Sequence, residues 1–293
     1  MRTLLFGRNG QVASALIDEA YKNNVSDSFH LIALGSKETD LLQHGAAADA
    51  IQHHQPDFVI NATAYTAVDK AENEREAARQ LNETAPFEMA QAAKTIGAKF
   101  IHLSTDYVFD GKQLAPYSEN DTVNPLNIYG RTKLAGERAV MEADSSAIIL
   151  RTSWVFSEFS RNFVKTMLSL AETRNDLNIV DDQIGGPTSA RDIASAILTI
   201  VSKVKNGASG RGVYHYQGAP SVSWADFARS IFEASKLDVK ITGIPTCAYP
   251  TPAQRPQNTI LNCARIAHDF GLPQPDWRIR LDQTVKALKT STI

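Results

Sequence analysis

Tyr129 and Lys133 stand four residues apart in Tyr129-Gly130-Arg131-Thr132-Lys133, the one Tyr-x-x-x-Lys spacing in the chain. On a helix such a pair shares a face. A phenol is a fair acid for an oxygen that gains charge as its carbon is reduced, and a nearby ammonium tunes it downward. Alone, the pair reads better as a surface contact. Its place gives it weight, because it follows Ser104-Thr105-Asp106-Tyr107-Val108-Phe109-Asp110-Gly111, which continues the apolar strand Lys99–Leu103. Thr105 has a hydroxyl to offer a substrate oxygen, and Ser104 and Asp106 flank it.

Near the N-terminus, Gly7-Arg8-Asn9-Gly10-Gln11-Val12-Ala13 has the form G-x-x-G-x-x-A and joins a strand, Thr3–Phe6, to a helix, Gln11–Lys22. Glycines there allow a tight turn and close approach to a pyrophosphate, which a helix N-terminus favours. Gly7, Arg8, Asn9, Gly10, Gln11 and Val12 are therefore expected at a dinucleotide. Ala62, Thr63, Ala64 and Tyr65, after the third strand, are expected to let it lie across the strand tips. The second strand, His30–Leu34, ends in Gly35-Ser36-Lys37 with no acid at its tip. An NAD site usually carries that acid. Ser36 and Lys37, with Arg8 reaching the same corner, predict acceptance of a 2′-phosphate, hence NADPH in preference to NADH. Asp40 and Leu41 are placed beside the adenine. If Arg8 and Lys37 are merely solvated, the two cofactors should serve equally.

Positioning these groups requires strands alternating with helices: strands at Thr3–Phe6, His30–Leu34, Asp57–Asn61, Lys99–Leu103 and Ala147–Arg151, with helical stretches between, including one long amphipathic run over Val68–Ile96. This predicts an α/β protein with a Rossmann-type, doubly wound parallel sheet. Residues 1–155, with about 188–222, are expected to bind the dinucleotide. Residues 156–187 and 223–293 are expected to form a smaller substrate lobe, ending in a loop-rich tail punctuated by prolines from Pro245 to Pro275. The 293 residues suffice for a core of this size.

A net charge of −2 gives no electrostatic reason to expect nucleic acid or an anionic membrane as partner. No apolar run is long enough to span a bilayer, and the opening residues lack the form of a signal peptide. The two cysteines suit a reduced cytoplasm. No His, Cys or Asp cluster predicts a metal, and no acidic cluster supports Mg²⁺. His102 and His215 read as core histidines in strands.

Taken in order, the glycine turn, the Ser-Thr strand end and the Tyr-x-x-x-Lys pair resemble the extended short-chain dehydrogenase/reductase family. Further strings narrow the resemblance: Leu150-Arg151-Thr152-Ser153-Trp154-Val155, Asp182-Gln183-Ile184-Gly185-Gly186-Pro187-Thr188 and Arg255-Pro256-Gln257-Asn258. They look like the family of dTDP-4-dehydrorhamnose reductases, end to end. That resemblance implies reduction of a dTDP-4-keto sugar with NAD(P)H, by a monomer or homodimer. It makes Thr105, Tyr129 and Lys133 the catalytic trio, with Lys133 also reaching the nicotinamide ribose. It puts Trp154 on the sugar, and Asp182–Thr188 and Arg255 beside the nucleotide-sugar. Trp154 also reads as a core aromatic, and Arg255 as a surface arginine. Two other functions share most of these strings: a non-catalytic regulatory subunit like that of methionine adenosyltransferase, and a reductase of another dTDP-4-keto-6-deoxy sugar.

Overall fold

The computed structural model describes residues 1–22 and 30–290. In chain order the first half contains β1 (Arg2–Phe6), α1 (Gln11–Lys22), β2 (His30–Leu34), α2 (Ala46–His54), β3 (Phe58–Asn61), α3 (Val68–Ala71), α4 (Arg75–Arg79), α5 (Ala85–Thr95), β4 (Lys99–Thr105), α6 (Ile128–Ala143) and β5 (Ile148–Thr152). The second half contains β6 (Val155–Phe156), α7 (Phe163–Ala171), β7 (Asp176–Val180), β8 (Ile184–Gly185), β9 (Thr188–Ser189), α8 (Ala190–Lys205), β10 (Gly212–His215), β11 (Val222–Ser223), α9 (Trp224–Ser235), β12 (Lys240–Ile244), α10 (Ala264–Phe270) and α11 (Trp277–Thr290).

Among the described residues, six strands form one parallel sheet in the order β10-β5-β4-β3-β1-β2. Its central strands are apolar on both sides because helices cover both faces. One face packs Leu5, Ile60, Ile101 and Leu150 against α1 and α8, and the other packs Leu4, Val59, Phe100 and Ile149 against α2 and α5. The chain leaves β1 outward to β2, then returns to β3 on the other side. That reversal opens a crevice at the carboxyl ends of β1 and β3, where open α/β sheets bind ligands. The expected doubly wound α/β fold is what the chain adopts.

Side-chain caps start the helices that matter here. Asn127 accepts from Gly130 N at 2.8 Å to start α6, and Ser223 accepts from Asp226 N at 3.0 Å to start α9.

Two expectations change. The run Val68–Ile96 is broken into α3, α4, a π-turn at Gln80–Thr84, and α5. The cause is Asn82, which turns inward to bond Tyr65 on both its backbone groups, and Thr132 Oγ1. The proline-rich tail also holds more order than its prolines suggest. Just before it β12 pairs in parallel with β7, and within it α10 brings Cys263, Ile266 and Phe270 into the core beneath the main sheet. The tail expected in the smaller lobe therefore divides between the two bodies. A separate core of Phe156, Val164, Met167, Phe227, Ile231, Trp277 and Leu281 holds the smaller lobe. Among the described residues no helix is long and apolar enough to cross a membrane.

Candidate active site

A cleft of about 320 Å³ opens at the crevice between β1 and β3. It is lined by Gly7, Asn9, Gly10, Ser36, Asp40, Leu41, Ala62, Thr63 and Ala64, nine of the positions expected at the dinucleotide. Gly7 has φ +102°, and a Cβ there would stand 2.9 Å from the Ala62 carbonyl carbon. Only glycine lets the two loops close up. This bare backbone at the start of a helix fits a pyrophosphate, so the cleft suits a dinucleotide. Phe6, Leu34, Gly35, Thr39, Leu42 and Leu81 complete the lining. Phe6 and Leu34 escaped sequence reading because apolar residues at strand ends carry no motif, and Leu42 and Leu81 because they reach the cleft from a loop and from the π-turn.

The other expected cofactor residues go elsewhere. Val12 faces the core. The Gln11 amide donates to Val155 O at 3.2 Å and accepts from Ser157 Oγ at 2.8 Å, pinning the first helix to the segment after β5. Tyr65 donates its hydroxyl to Glu74 at 2.6 Å, which pushes the phenol up to about 12. Lys37 is exposed. Arg8 is at the cleft rim, 3.3 Å from Glu38, whose other oxygen accepts from Gly35 N at 2.9 Å. An acid therefore does stand at the β2 corner, folded back from four residues beyond the strand. That hydrogen bond, with Arg8 and Lys37 adding charge, holds the Glu38 carboxyl below its usual value.

The trio gathers where β4 meets α6. Asn127 caps α6, and Ile128 N donates to Glu72 Oε1 at 2.9 Å, so Tyr129 starts the helix at a fixed point. Burial pushes the Tyr129 phenol up to about 12, and a hydrogen bond with Thr105 works the other way. Thr105 donates to Asp106 Oδ1 at 3.0 Å. Lys133 is 1% exposed, and burial lowers its ammonium to about 8. Its Nζ donates to Leu103 O at 2.8 Å and faces His102 Nε2 at 3.3 Å.

Ser104 is not with them. Neighbouring residues of a strand point to opposite faces, and the Ser104 hydroxyl donates to Glu137 Oε1 at 2.5 Å. Glu137 is also gripped at both oxygens by Arg151, at 2.8 and 2.6 Å, in a fully buried pair. Ser104 braces α6 rather than facing a substrate.

A second cleft, of about 680 Å³, is walled by Phe163, Met167, Leu177, Ile179, Trp224 and Tyr249, and its polar lining includes Arg174, Asn178, Gln183 and Arg255 together with the carboxylates Asp69 and Asp176. Aromatic walls with a few polar groups suit a nucleoside phosphate. Arg255 lines it as a fork on Asp69, with Nη1 and Nη2 at 2.7 and 2.8 Å from the two carboxylate oxygens. Of the string Asp182–Thr188, Gln183 lines the cleft, while Asp182 accepts from Thr246. Trp154 does not line it. Its indole stacks on Trp224, with centroids 3.5 Å apart and planes 7° apart, and its backbone is left-handed at φ +46°. Non-glycine residues in that region cost about 1 kcal/mol or more and cluster at functional sites. Tyr107 ties this cleft to the trio: its ring meets Tyr129 edge-on at 5.6 Å, and its phenol feels the charges of Arg255 and Asp69.

The family model described as the RmlD substrate binding domain matches residues 1–290. The chain belongs to that family. It is 42% identical to the dTDP-4-dehydrorhamnose reductase of Sinorhizobium fredii, over 98% of each chain. It is 39% identical to that of Escherichia coli, over 100% of this chain and 99% of the other. A crystal structure of a dTDP-4-dehydrorhamnose reductase from Clostridium acetobutylicum superposes with a TM-score of 0.92 at 34% identity, covering 99% of this chain and 100% of that one. One from Bacillus anthracis, in complex with NADP, has a TM-score of 0.89 at 32% identity, covering 98% and 99%.

Proposed function

We propose that this protein is an NAD(P)H-dependent oxidoreductase that reduces the 4-keto group of dTDP-4-dehydro-β-L-rhamnose to give dTDP-L-rhamnose, in the cytoplasm. What carries the reading is the complete proton-transfer set, Thr105, Tyr129 and Lys133, gathered where β4 meets α6, with the Tyr107 ring against Tyr129. The dinucleotide belongs in the β1–β3 cleft, held by Gly7, Asn9, Gly10 and Thr63, and supplies hydride when bound. The sugar nucleotide belongs in the larger cleft.

Tyr129 holds the proton. With its phenol near 12 it stays protonated through neutral pH, the state a reduction needs. As the keto oxygen gains charge it becomes a better base than phenolate, and the proton crosses to it. The Lys133 ammonium stabilises the phenolate left behind, in a dry site where charge acts strongly. Thr105 turns its hydroxyl from Asp106 to the substrate oxygen and holds it in place. A non-catalytic regulatory role would not need all three.

NADPH is the favoured cofactor in this reading, because Arg8 and Lys37 are within reach of a 2′-phosphate. Glu38 opposes them, so the preference is modest, about threefold to tenfold in kcat/KM. The test is one assay: cofactor oxidation with enzymatically made dTDP-4-dehydrorhamnose, NMR identification of the product, and both cofactors compared. Tyr129→Phe should cut kcat by about 10²–10⁴-fold while cofactor binding persists. A different C4 epimer would reassign the product, near-wild-type kcat in Tyr129→Phe would remove the mechanism, and NADH preference would remove the cofactor assignment.

A further inference from the structure

Lys133 rests on an imidazole that the mechanism above does not use. His102 is on β4 directly opposite Asn61 on β3, and both are wholly buried. His102 Nδ1 is 3.1 Å from Asn61 Nδ2, and His102 Nε2 is 3.3 Å from Lys133 Nζ.

The donors and acceptors around this chain fix its protons. Thr63 N donates to Asn61 Oδ1 at 2.9 Å, and Thr63 Oγ1 donates to the same oxygen at 2.6 Å. A backbone N–H can only donate, so the oxygen of Asn61 must face Thr63 and its NH₂ must face His102. The NH₂ donates to Nδ1. A neutral imidazole with an accepting Nδ1 carries its proton on Nε2. That N–H points at the lysine nitrogen, which accepts it only when the amine has given up its third proton. His102 is itself neutral, because burial, and then the lysine's charge, hold it well below its ordinary value.

We propose that His102 is a positioning residue for the reaction: locked by Asn61 in the Nε2–H form, it sets how readily Lys133 keeps its third proton. The direction is toward release, since an N–H donor favours the neutral amine. Burial pulls the same way, and lowers the ammonium to about 8. The network also reaches the dinucleotide cleft, because Thr63 lines it.

Other charges around Lys133 are accounted for. Glu137, one turn on, favours the ammonium but is held by Arg151 and Ser104. Tyr129 precedes it by one turn, and Asp106 follows β4. On the elements packed over α6, Glu72 accepts from Ile128 N and Glu83 pairs with Arg79.

Two measurements test this. The first is ¹⁵N NMR of the histidine-labelled full chain, with His102→Gln assigning the resonance. The Nε2–H tautomer is expected, and finding the proton on Nδ1 overturns the proposal whatever the enzyme's substrate. The second rests on the proposed reductase function and follows kcat against pH. Activity falls on the alkaline side as Lys133 deprotonates. In His102→Gln the amide oxygen can accept from the ammonium, so that limb should move up by about one pH unit, a tenfold change in proton concentration. A limb that stays or moves down overturns the proposal. Should His102→Gln fail to fold, the wild-type tautomer, assigned through coupling to the Lys133 side chain, still decides.

Discussion

Asp106 is a carboxyl in a place that penalises its charge. It is 2% exposed, Oδ1 accepts from Thr105, and Oδ2 has no hydrogen-bond partner. Burial pushes it up to about 7, against the relief of its hydrogen bonds. Below about pH 4 both folded and unfolded chains are protonated there, so it contributes nothing. Between 4 and 7 the unfolded chain releases the proton while the folded one keeps it, and stability falls as pH rises. Above 7 the full penalty persists. Asp106→Asn imitates the protonated acid and keeps an oxygen for Thr105. It should therefore raise Tm at pH 8 by a few degrees, for about 1–2 kcal/mol, and hardly at all at pH 4. Equal Tm gains at both pH values would show that charge is not the cause. The types of these residues were legible in the sequence; their directions were less so. Thr105 and Ser104 are adjacent, and strand alternation alone sends one to the trio and the other to Glu137. Glu38 was missed for a similar reason: it reaches the β2 corner by folding back through a turn, which strand-tip spacing does not encode.

At the scale of elements, the alternation of apolar strands with amphipathic helices was legible because each segment's own periodicity specifies it. What was not legible depends on partners distant in sequence. β7 and β12 make a strand pair only because the smaller lobe brings residues 176–180 and 240–244 together. The π-turn at Gln80–Thr84 exists because Asn82 must reach Tyr65 and Thr132, and it needs a concave neighbour. Gly136 of α6 provides that: a Cβ there would lie 1.9 Å from Asn82 O. Since α6 also carries Tyr129 and Lys133, this contact seats the trio's helix. Gly136→Ala gains helix propensity, about 1 kcal/mol. It must also push two backbones apart, and overpacking costs typically about 1–3 kcal/mol, with more for a clash against main chain. The clash should win, lowering Tm by several degrees and kcat with it. A thermal scan showing Tm unchanged or raised would mean that the π-turn yields freely.

For the whole molecule, the question is how two bodies present one substrate to the trio. Asp69 follows β3 in the body around the main sheet, and Arg255 is in the tail that closes the larger cleft. Their forked ion pair is the clasp between them. Arg255, and less so the Ala253 N–H, hold the Asp69 carboxyl below its usual value. The clasp is thus present above about pH 4 and opens only as pH falls through that depressed value. The pairing could not be read from sequence, because 186 residues separate the partners. It also changes what Arg255 offers a ligand. Nη1 and Nη2 are turned to Asp69, and Nη1 also donates to Ala253 O at 2.6 Å. Under the proposed function, a diphosphate in the larger cleft would meet a guanidinium already oriented by Asp69, with its Nε left for the ligand. Charged hydrogen bonds of this kind are worth about 1.5–3 kcal/mol. Arg255→Met should then raise KM for the sugar nucleotide by about 10–100-fold, with little change in kcat or in cofactor KM. Asp69→Asn keeps the guanidinium but loosens its aim, so its KM should fall between mutant and wild type. An Arg255→Met enzyme with unchanged sugar-nucleotide KM and a lowered Tm would make the pair a structural clasp and nothing more.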